Sequence, residues 1–224
     1  MKLIDELIQS GYLKSPEIIN AFKKIKREDF LLPNDKTLSE VNAPISIGHG
    51  QTISQPLTVA FMLELLQAKK NDKVLDVGSG SGWTCALLAE IVGNNGKVYG
   101  VERILNLKNF AENNISKYNF MLLPSATRAT NAGHTNKGIV QLFCTDGYQG
   151  LKEFSPYDKI IVAAAAEEVP KELLKQLVVG GRMVIPIGQQ FQSQEIIMVE
   201  KLSENNYKEK RYPGFIFVPL VKCH

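Results

Sequence analysis

The chain has 224 residues, of which 44% are hydrophobic and 22% are charged, so it suits one globular domain with room for a short appendage. Its net charge of +3 is too small to argue for a nucleic-acid partner. No apolar run is long enough to span a membrane and the N-terminus lacks a signal-peptide core, so we expect a cytoplasmic protein with no membrane partner.

The side chains that commonly bind metals show no metal-site spacing. Three cysteines, an odd number, lack the paired spacing of a zinc site and indicate buried thiols in a reducing compartment. The histidines are scattered along the chain. We therefore predict no metal site. These residues are Cys85, Cys144 and Cys223, and His49, His134 and His224.

Two helices are predicted at the N-terminus. The first covers Met1 to Ser10, and the second begins with Ser15 as a capping residue and Pro16 at its first position. The second helix is expected to end near Arg27, before a run that closes with Pro33. Apolar residues at helical spacing lie beside a basic cluster, which indicates a solvated helix face. The cluster is Lys23, Lys24, Lys26 and Arg27.

The next segment, Asn34 to Ser54, shows no periodic element and is predicted to be a surface loop. Ser54 precedes Gln55 and Pro56, and a helix is predicted from Leu57 to Leu66. From the residues alone, Ser54 could simply cap that helix.

A ligand cradle is predicted between Lys73 and Val92. Lys73 to Val77 reads as a short buried strand, followed by glycines at every second position, and Trp83 to Val92 has helical spacing. Glycines let the backbone approach a bound molecule, and the start of a helix offers unpaired N–H groups. The alternative is a purely structural glycine loop. The glycines are Gly78, Gly80 and Gly82.

The motif differs from the dinucleotide fingerprint G-x-G-x-x-G, because Trp83 occupies the position of its third glycine. A second strand, Lys97 to Val101, ends at Glu102. An acid at the tip of this strand is placed to accept hydrogen bonds from the hydroxyl pair of a ribose. The combination resembles methyltransferases that depend on S-adenosylmethionine.

Further strands and helices follow in alternation. A helix is predicted from Ile104 to Tyr118, and Met121 to Lys137 is predicted to be a mobile loop. Strands are then expected over Gly138 to Cys144, Tyr157 to Ala165, and Arg182 to Pro186. A helix over Pro170 to Val178 is expected to end at Gly180 and Gly181, and Gln194 to Leu202 and Phe215 to Leu220 are predicted to form a terminal antiparallel pair.

This alternation predicts an α/β fold: a Rossmann-like, doubly wound, mostly parallel sheet with N-terminal helices and a C-terminal antiparallel strand pair. Ligands bind such sheets at the carboxyl ends of the strands. Gly78, Glu102 and Asp146 all fall at those ends, so three motifs point to one crevice.

Five strings in the chain resemble the protein-L-isoaspartate O-methyltransferase family, in that family's order, from Asn42 to about Gly188. IGHGQTISQP is the most specific, because general methyltransferases lack it. The others are LDVGSGSGW, VYGVER, TDGYQGL and VVGGRMVIPIG.

The resemblance implies methyl transfer from S-adenosylmethionine to the free α-carboxylate of L-isoaspartyl, and possibly D-aspartyl, residues in damaged proteins and peptides. The ester then collapses to a succinimide, which initiates repair. It also implies that Ser54 is the active-site serine and that several positions bind the cofactor. These positions are Gln55, Pro56, Leu57, Thr58 and Val59, which close over it, with Asp76, Gly78, Gly80 and Glu102, and Asp146 and Gly147 on the adenine side.

The chemistry agrees with this set. A carboxylate with a pKa near 4 is ionised at neutral pH, so no general base is needed, and the methyl group is activated by the cofactor. The protein has to align the reactants and exclude water. We expect Ser54 to position the substrate and not to act as a covalent nucleophile.

The chain departs from the family pattern at three places: the long segment Met121 to Lys137, Thr145 before Asp146, and Val221 near the C-terminus. We expect a monomer with one methyltransferase domain, residues 1–224. In it, 1–56 forms an N-terminal helical and substrate-loop segment, and 57–224 forms the cofactor-binding core. The alternatives are an aspartate methyltransferase dedicated to one peptide, and a non-catalytic scaffold that binds the cofactor.

Overall fold

A computed structural model describes residues 2–121, 138–189 and 192–221. Its helices and strands follow the predicted alternation. The helices are α1 (Lys2–Gln9), α2 (Pro16–Lys24), α3 (Pro56–Leu66), α4 (Trp83–Val92), α5 (Leu105–Ser116) and α6 (Lys171–Lys175). The strands are β1 (Ile45–Gly48), β2 (Gln51–Ile53), β3 (Lys73–Val77), β4 (Lys97–Glu102), β5 (Val140–Cys144), β6 (Tyr157–Val162), β7 (Leu177–Ile187), β8 (Gln194–Ser203) and β9 (Asn206–Phe215).

In the described part of the chain, the main sheet has seven strands in the order β5-β4-β3-β6-β7-β8-β9. The first five run parallel, and β8 and β9 join antiparallel at one edge. The chain reverses direction across the sheet between β3 and β6, and in such folds the ligand crevice lies at this reversal. The predicted fold class is therefore confirmed.

Successive residues of the central strands enter two different apolar clusters, because side chains alternate between the faces of a sheet. Val74 packs with the cluster that contains α1 to α5, and Leu75 with the cluster that contains α6. The helices thus cover one face more heavily than the other. On the second face, part of the cover comes from aromatic rings, among which Tyr99 stacks on Phe154 at 4.6 Å between centroids.

The prediction of a structureless loop over Asn34 to Ser54 was wrong. It contains a 3₁₀ helix (Pro33–Leu38) and the antiparallel hairpin β1-β2. Ile45 and Ile47, two positions apart, are both buried on one face of the hairpin. The turn has positive φ angles at Gly48, His49 and Gly50 (87°, 54° and 68°). A strand of four residues is too short to give a clear periodic signal.

The start of α2 is as predicted, but the expected cap is not made. Ser15 stands before Pro16, and its hydroxyl donates to Glu64 Oε2 at 2.7 Å instead of capping its own helix. Glu64 Oε1 also accepts from the backbone N–H groups of Lys14 and Ser15, both at 2.7 Å. The serine therefore ties the start of α2 to α3.

Two boundaries near the C-terminus were also wrong. Gly180 and Gly181 lie inside β7 and do not end a helix; a Cβ on Gly181 would lie 2.9 Å from Asp158 O, so glycine permits close packing of the backbones. The last strand is the polar run Asn206–Phe215 and not Phe215 to Leu220. Its polarity follows from its place at the exposed edge of the sheet.

The residues after β9 return to the centre of the sheet. Ala165 N donates to Val218 O at 2.8 Å, and Leu220 N donates to Ala165 O at 2.7 Å. These bonds hold the C-terminal strip, residues 216–221, beside the end of β6. The predicted loop after Met121 lies outside the described residues. No described helix is both long and apolar enough to cross a membrane.

Candidate active site

The glycine loop between β3 and α4 has a conformation that favours glycine. Gly78, Gly80 and Gly82 have φ angles of 84°, 51° and 88°. A Cβ on Gly82 would lie 2.8 Å from Ile115 Cδ1, so the loop also packs tightly on α5. The loop is fixed to β4, because the N–H groups of Gly78 and Ser79 donate to a carbonyl at its end.

Glu102 connects this loop to the tip of β4. Its Oε2 accepts from Gly80 N at 3.1 Å and its Oε1 accepts from Ile104 N at 2.9 Å. The loop N–H groups that we expected to be free for a ligand are thus partly engaged within the protein. Each carboxylate oxygen retains a further lone pair, so Glu102 can still accept a hydrogen bond from a ligand hydroxyl.

Asp76 is completely buried in β3 and does not line a described cavity. Its Oδ2 accepts from Cys85 Sγ at 3.0 Å, while its Oδ1 has no partner within the described residues. Burial raises the pKa of Asp76 to about 7; the bond from Cys85 opposes this, and the charge of Glu102 adds to it.

Asp146 and Gly147 follow β5. Asp146 caps the 3₁₀ helix Gly147–Gln149, since its Oδ1 accepts from Tyr148 N at 2.9 Å. A Cβ on Gly147 would lie 2.5 Å from Val77 Cγ1, so any other residue would push against β3. Asp146 therefore shapes the turn, and Gly147 contributes backbone to the crevice.

A first cavity of about 770 Å³ opens at the carboxyl ends of β3, β4 and β6. It brings together five of the predicted site residues, and the Oγ of Ser79 on its wall is buried without a partner within the described residues. The predicted residues in its lining are Ser54, Gly78, Gly80, Glu102 and Gly147.

A second cavity of about 1090 Å³ adjoins the first, and Ser54 lines both. Its wall includes Pro44, Thr58 and Phe217, which come from distant parts of the chain. Ser54 is not the cap of α3: the capping position is Gln55, and Leu57 N donates to Asn42 Oδ1 at 3.1 Å. Within the described residues the Ser54 hydroxyl makes no hydrogen bond, so it is available to a ligand.

The five residues after Ser54 occupy different environments. Gln55 and Thr58 line the second cavity. Val59 is 3% exposed and belongs to the apolar core, Leu57 is half-buried against that core, and Pro56 is buried at the start of α3. Only two of the five therefore face either of the cavities that meet at Ser54.

Sequence reasoning missed several residues of the crevice. Ala163 and Ala164 follow β6 and line the first cavity. The rule that ligands bind at the carboxyl ends of the strands, which pointed to Glu102, could also have pointed to them. The C-terminal strip, including Val221, also lines it. No local signal places that strip there, because its position depends on the bridge to Ala165.

The comparisons with known proteins agree on one family. The family model described as "Protein-L-isoaspartate(D-aspartate) O-methyltransferase (PCMT)" matches residues 1–224. A protein-L-isoaspartate O-methyltransferase of Aeropyrum pernix is 39% identical over 224 residues, which cover 100% of this chain and 80% of the relative. One from Thermococcus onnurineus is 40% identical, over 99% of this chain and 92% of the relative.

A solved structure gives the same result. It is a Plasmodium falciparum protein described as a putative member of this family in complex with S-adenosyl-L-homocysteine. The TM-score is 0.81 at 25% identity, and the match covers 99% of this chain and 98% of that one. The alternatives of a dedicated peptide methyltransferase and a non-catalytic scaffold are not favoured by these comparisons.

Proposed function

The chain belongs to the protein-L-isoaspartate(D-aspartate) O-methyltransferase family, and we propose that its methyl transfer takes place at Ser54, where the two cavities meet. The enzyme transfers a methyl group from S-adenosylmethionine to the α-carboxylate of isoaspartyl residues and so initiates their repair. The observation that carries the proposal is that the lining of both cavities includes this one serine.

The first cavity fits the cofactor. Glu102 retains acceptor capacity for a ribose hydroxyl pair, and Ser79 also lines this cavity. Gly78 and Gly80 present no side chain to the cavity at their own positions, and Gly147 keeps the turn after β5 close to β3. Asp76 is buried behind the loop and supports it, and Asp146 stabilises the turn after β5 by capping it.

The second cavity fits the peptide. When bound, the cofactor supplies a methyl group already activated on a sulfonium. The substrate carboxylate is ionised near neutral pH, so transfer releases no proton and this chain needs no general base. The Ser54 hydroxyl donates to the carboxylate and fixes its direction of approach, and the apolar wall at Phe217 limits access of water.

We assign the substrate side mainly to residues 1–56 and the cofactor side to residues 57–224, within one working unit. In support, Ser54, Pro44 and Gly50 line the second cavity, while Gly78 and Glu102 line the first. The C-terminal strip also reaches both cavities.

The test is Ser54→Ala, compared with Ser46→Ala, an exposed serine of the hairpin that precedes Ser54; Ser46 lines neither cavity. We expect kcat on an isoaspartyl peptide to fall about tenfold or more for Ser54→Ala, because one positioning donor is lost. The Kd of S-adenosylmethionine, measured by calorimetry, should change less than about twofold, and Ser46→Ala should resemble the wild type. Unchanged turnover, or an equal loss of cofactor affinity, would contradict the role of Ser54.

The finer substrate range is also part of the proposal. The test uses three peptides that differ only in an L-isoaspartyl, D-aspartyl or normal L-aspartyl residue. Methyl transfer to each is measured with labelled S-adenosylmethionine. We expect transfer to the first, weaker transfer to the second and none to the third. Equal labelling of the normal aspartyl peptide would contradict isoaspartyl selectivity.

We further propose a monomer in the cytoplasm, with no nucleic-acid or membrane partner. Cys85 is a buried free thiol, which suits a reducing compartment, whereas Cys144 is exposed, so the expectation of a buried thiol was wrong there. Light scattering of the purified protein and fractionation of cells test these two points separately.

A further inference from the structure

Arg27 is an unusual residue in this structure, because it is a charged side chain with only 6% exposure beside the proposed active site. It lies at the start of a 3₁₀ helix (Arg27–Phe30) that follows α2, far in sequence from Ser54. None of the ion pairs between described residues includes it. A buried guanidinium without a carboxylate partner is costly, which calls for a specific role.

The four hydrogen bonds that its guanidinium makes to described residues all go to backbone carbonyls of the segment before α3. Nη1 donates to Ser39 O at 3.3 Å and to Val41 O at 2.9 Å. Nη2 donates to Ala43 O at 2.8 Å and to Ser54 O at 3.2 Å. One side chain thus holds both ends of the segment 39–54, which contains the β1-β2 hairpin.

The guanidinium is itself held in place by Trp83. Its Cζ lies 5.5 Å from the centroid of the indole ring, within the range of a cation–π contact. Trp83 is 3% exposed, packs edge-to-face on Phe22 and lines the first cavity. Arg27 therefore connects the start of α4, beside the glycine loop, with the backbone of Ser54.

We propose that Arg27 is the positioning residue for the substrate side of the active site: it fixes the segment 39–54 so that the Ser54 hydroxyl faces the junction of the two cavities. The inference rests on the proposed role of Ser54. The planar fork of an arginine suits this task, because several donors in fixed directions can bind several carbonyls, which a lysine ammonium cannot reproduce. The positive charge strengthens each of these bonds.

The experiment compares Arg27→Gln and Arg27→Lys with Arg182→Gln. Arg182 is a matched control, because it donates to Leu65 O at 3.5 Å and to Gln67 Oε1 at 2.7 Å and lines none of the described cavities. We expect Arg27→Gln to lower kcat on an isoaspartyl peptide about tenfold, and by no more than Ser54→Ala does, since small misplacements at a reacting centre are costly. Arg27→Lys should lose about fivefold, and Arg182→Gln should keep the wild-type kcat.

Two measurements separate positioning from a general loss of structure. The Kd of S-adenosylmethionine should stay within about threefold of wild type in every Arg27 variant, which shows an intact first cavity. In a double-mutant cycle, Ser54→Ala with Arg27→Gln should be no more than about threefold slower than Ser54→Ala alone, because residues that act through one another are not additive.

Each of three results would overturn the proposal. They are a loss of kcat in the double variant equal to the product of the two single losses, a parallel loss of cofactor affinity, and an unchanged kcat in Arg27→Gln. If Arg27→Gln does not fold, Arg27→Lys carries the same comparisons. If Ser54→Ala alone proves fully active, the role proposed for Ser54 fails. A lower kcat at unchanged Kd of S-adenosylmethionine in the Arg27 variants would then still support a role for Arg27 in positioning segment 39–54. An unchanged kcat in these variants would overturn that role as well.

Discussion

More than half of the lining of the first cavity comes from the ends of β3, β4 and β6 and the residues that follow them, whereas the second takes most of its lining from residues 44–58 and 216–219. The first is therefore fixed more by the sheet itself. The second depends on tertiary ties: the bonds of Arg27 to the segment before α3, and the bridge between Ala165 and Pro219. Because of this difference, we expect that substitutions can disturb binding of the cofactor and alignment of the peptide separately.

The buried charges near the two cavities also differ in sign. Glu102, with 7% exposure, lines the first cavity, and Arg27 donates to the backbone oxygen of Ser54, where the two cavities meet. A cationic sulfonium and an anionic carboxylate would each approach the side with the opposite charge. Substitutions on the two sides should therefore affect different measured quantities.

The largest expected effect comes from adding a methyl group to the glycine loop. Gly82→Ala combines a φ of 88° with a Cβ only 2.8 Å from Ile115 Cδ1, so it adds backbone strain and overpacking. We expect the free energy of unfolding in urea to fall by about 3 kcal/mol, with weaker cofactor binding.

The matched control for this prediction is Gly50→Ala, in the turn of the hairpin on the substrate side. Gly50 also has a positive φ, 68°, but a Cβ there would meet no atom within 4 Å. Only strain remains, so we expect a loss of about 1 kcal/mol and normal cofactor affinity. Equal losses in the two variants would contradict the tighter construction of the first cavity.

The second prediction concerns the pH dependence of stability. The pKa of Asp76 is raised from 3.8 to about 7 in the folded state, so the folded chain retains a proton that the unfolded chain releases between these values. Stability should therefore fall as pH rises, by roughly 2 kcal/mol between pH 5 and pH 8 from this residue.

Asp76→Asn should remove that part of the slope, as measured by urea unfolding at several pH values. Asp5→Asn, at an exposed position of α1, is the control and should leave the slope unchanged. An identical slope in wild type and Asp76→Asn would show that the buried carboxylate does not retain a proton.

The third prediction tests the ribose contact. Glu102→Gln keeps one acceptor oxygen but loses the negative charge. The amide nitrogen that replaces the other oxygen cannot accept a hydrogen bond, so the bond from either Gly80 N or Ile104 N is lost. We expect cofactor affinity to fall by about 1.5–3 kcal/mol, the range for a hydrogen bond to a charged group.

In this variant kcat at saturating cofactor should remain close to wild type, because Glu102 lies in the first cavity and not in the second. Calorimetry with S-adenosylmethionine gives the affinity. Unchanged affinity would remove the proposed ribose contact, and a loss confined to kcat would move Glu102 to the substrate side.

The same contrast explains what could be predicted from the sequence. The first cavity was largely predictable, because Gly78 directly follows β3, Glu102 ends β4, and strand ends meet at one edge of a parallel sheet. The roles of Asp76 and Asp146 could not be seen, since burial under the loop and capping of a turn depend on their surroundings.

The second cavity was much less predictable. The hairpin β1-β2 was missed because its strands are four and three residues long. The last strand was predicted at the wrong residues because the exposed residues of β9 are polar. The path of the C-terminal strip to Ala165 is a long-range contact with no local signal. Arg27 was assigned to a solvated helix face, although the structure buries it.

The smallest expected effect is at the rim of the second cavity. Ile216 lines that cavity and is 82% exposed, so it contributes little to folding but offers apolar surface to a bound peptide. We expect Ile216→Ser to raise the peptide KM about threefold, or roughly 0.6 kcal/mol, with kcat, the Kd of S-adenosylmethionine and Tm unchanged. Val179→Ser, 54% exposed in β7 and outside the described cavities, is the control and should change none of these. A KM equal to that of wild type would mean that the peptide does not reach Ile216, and the substrate path would then run along Pro44 and Gly50, which line the same cavity.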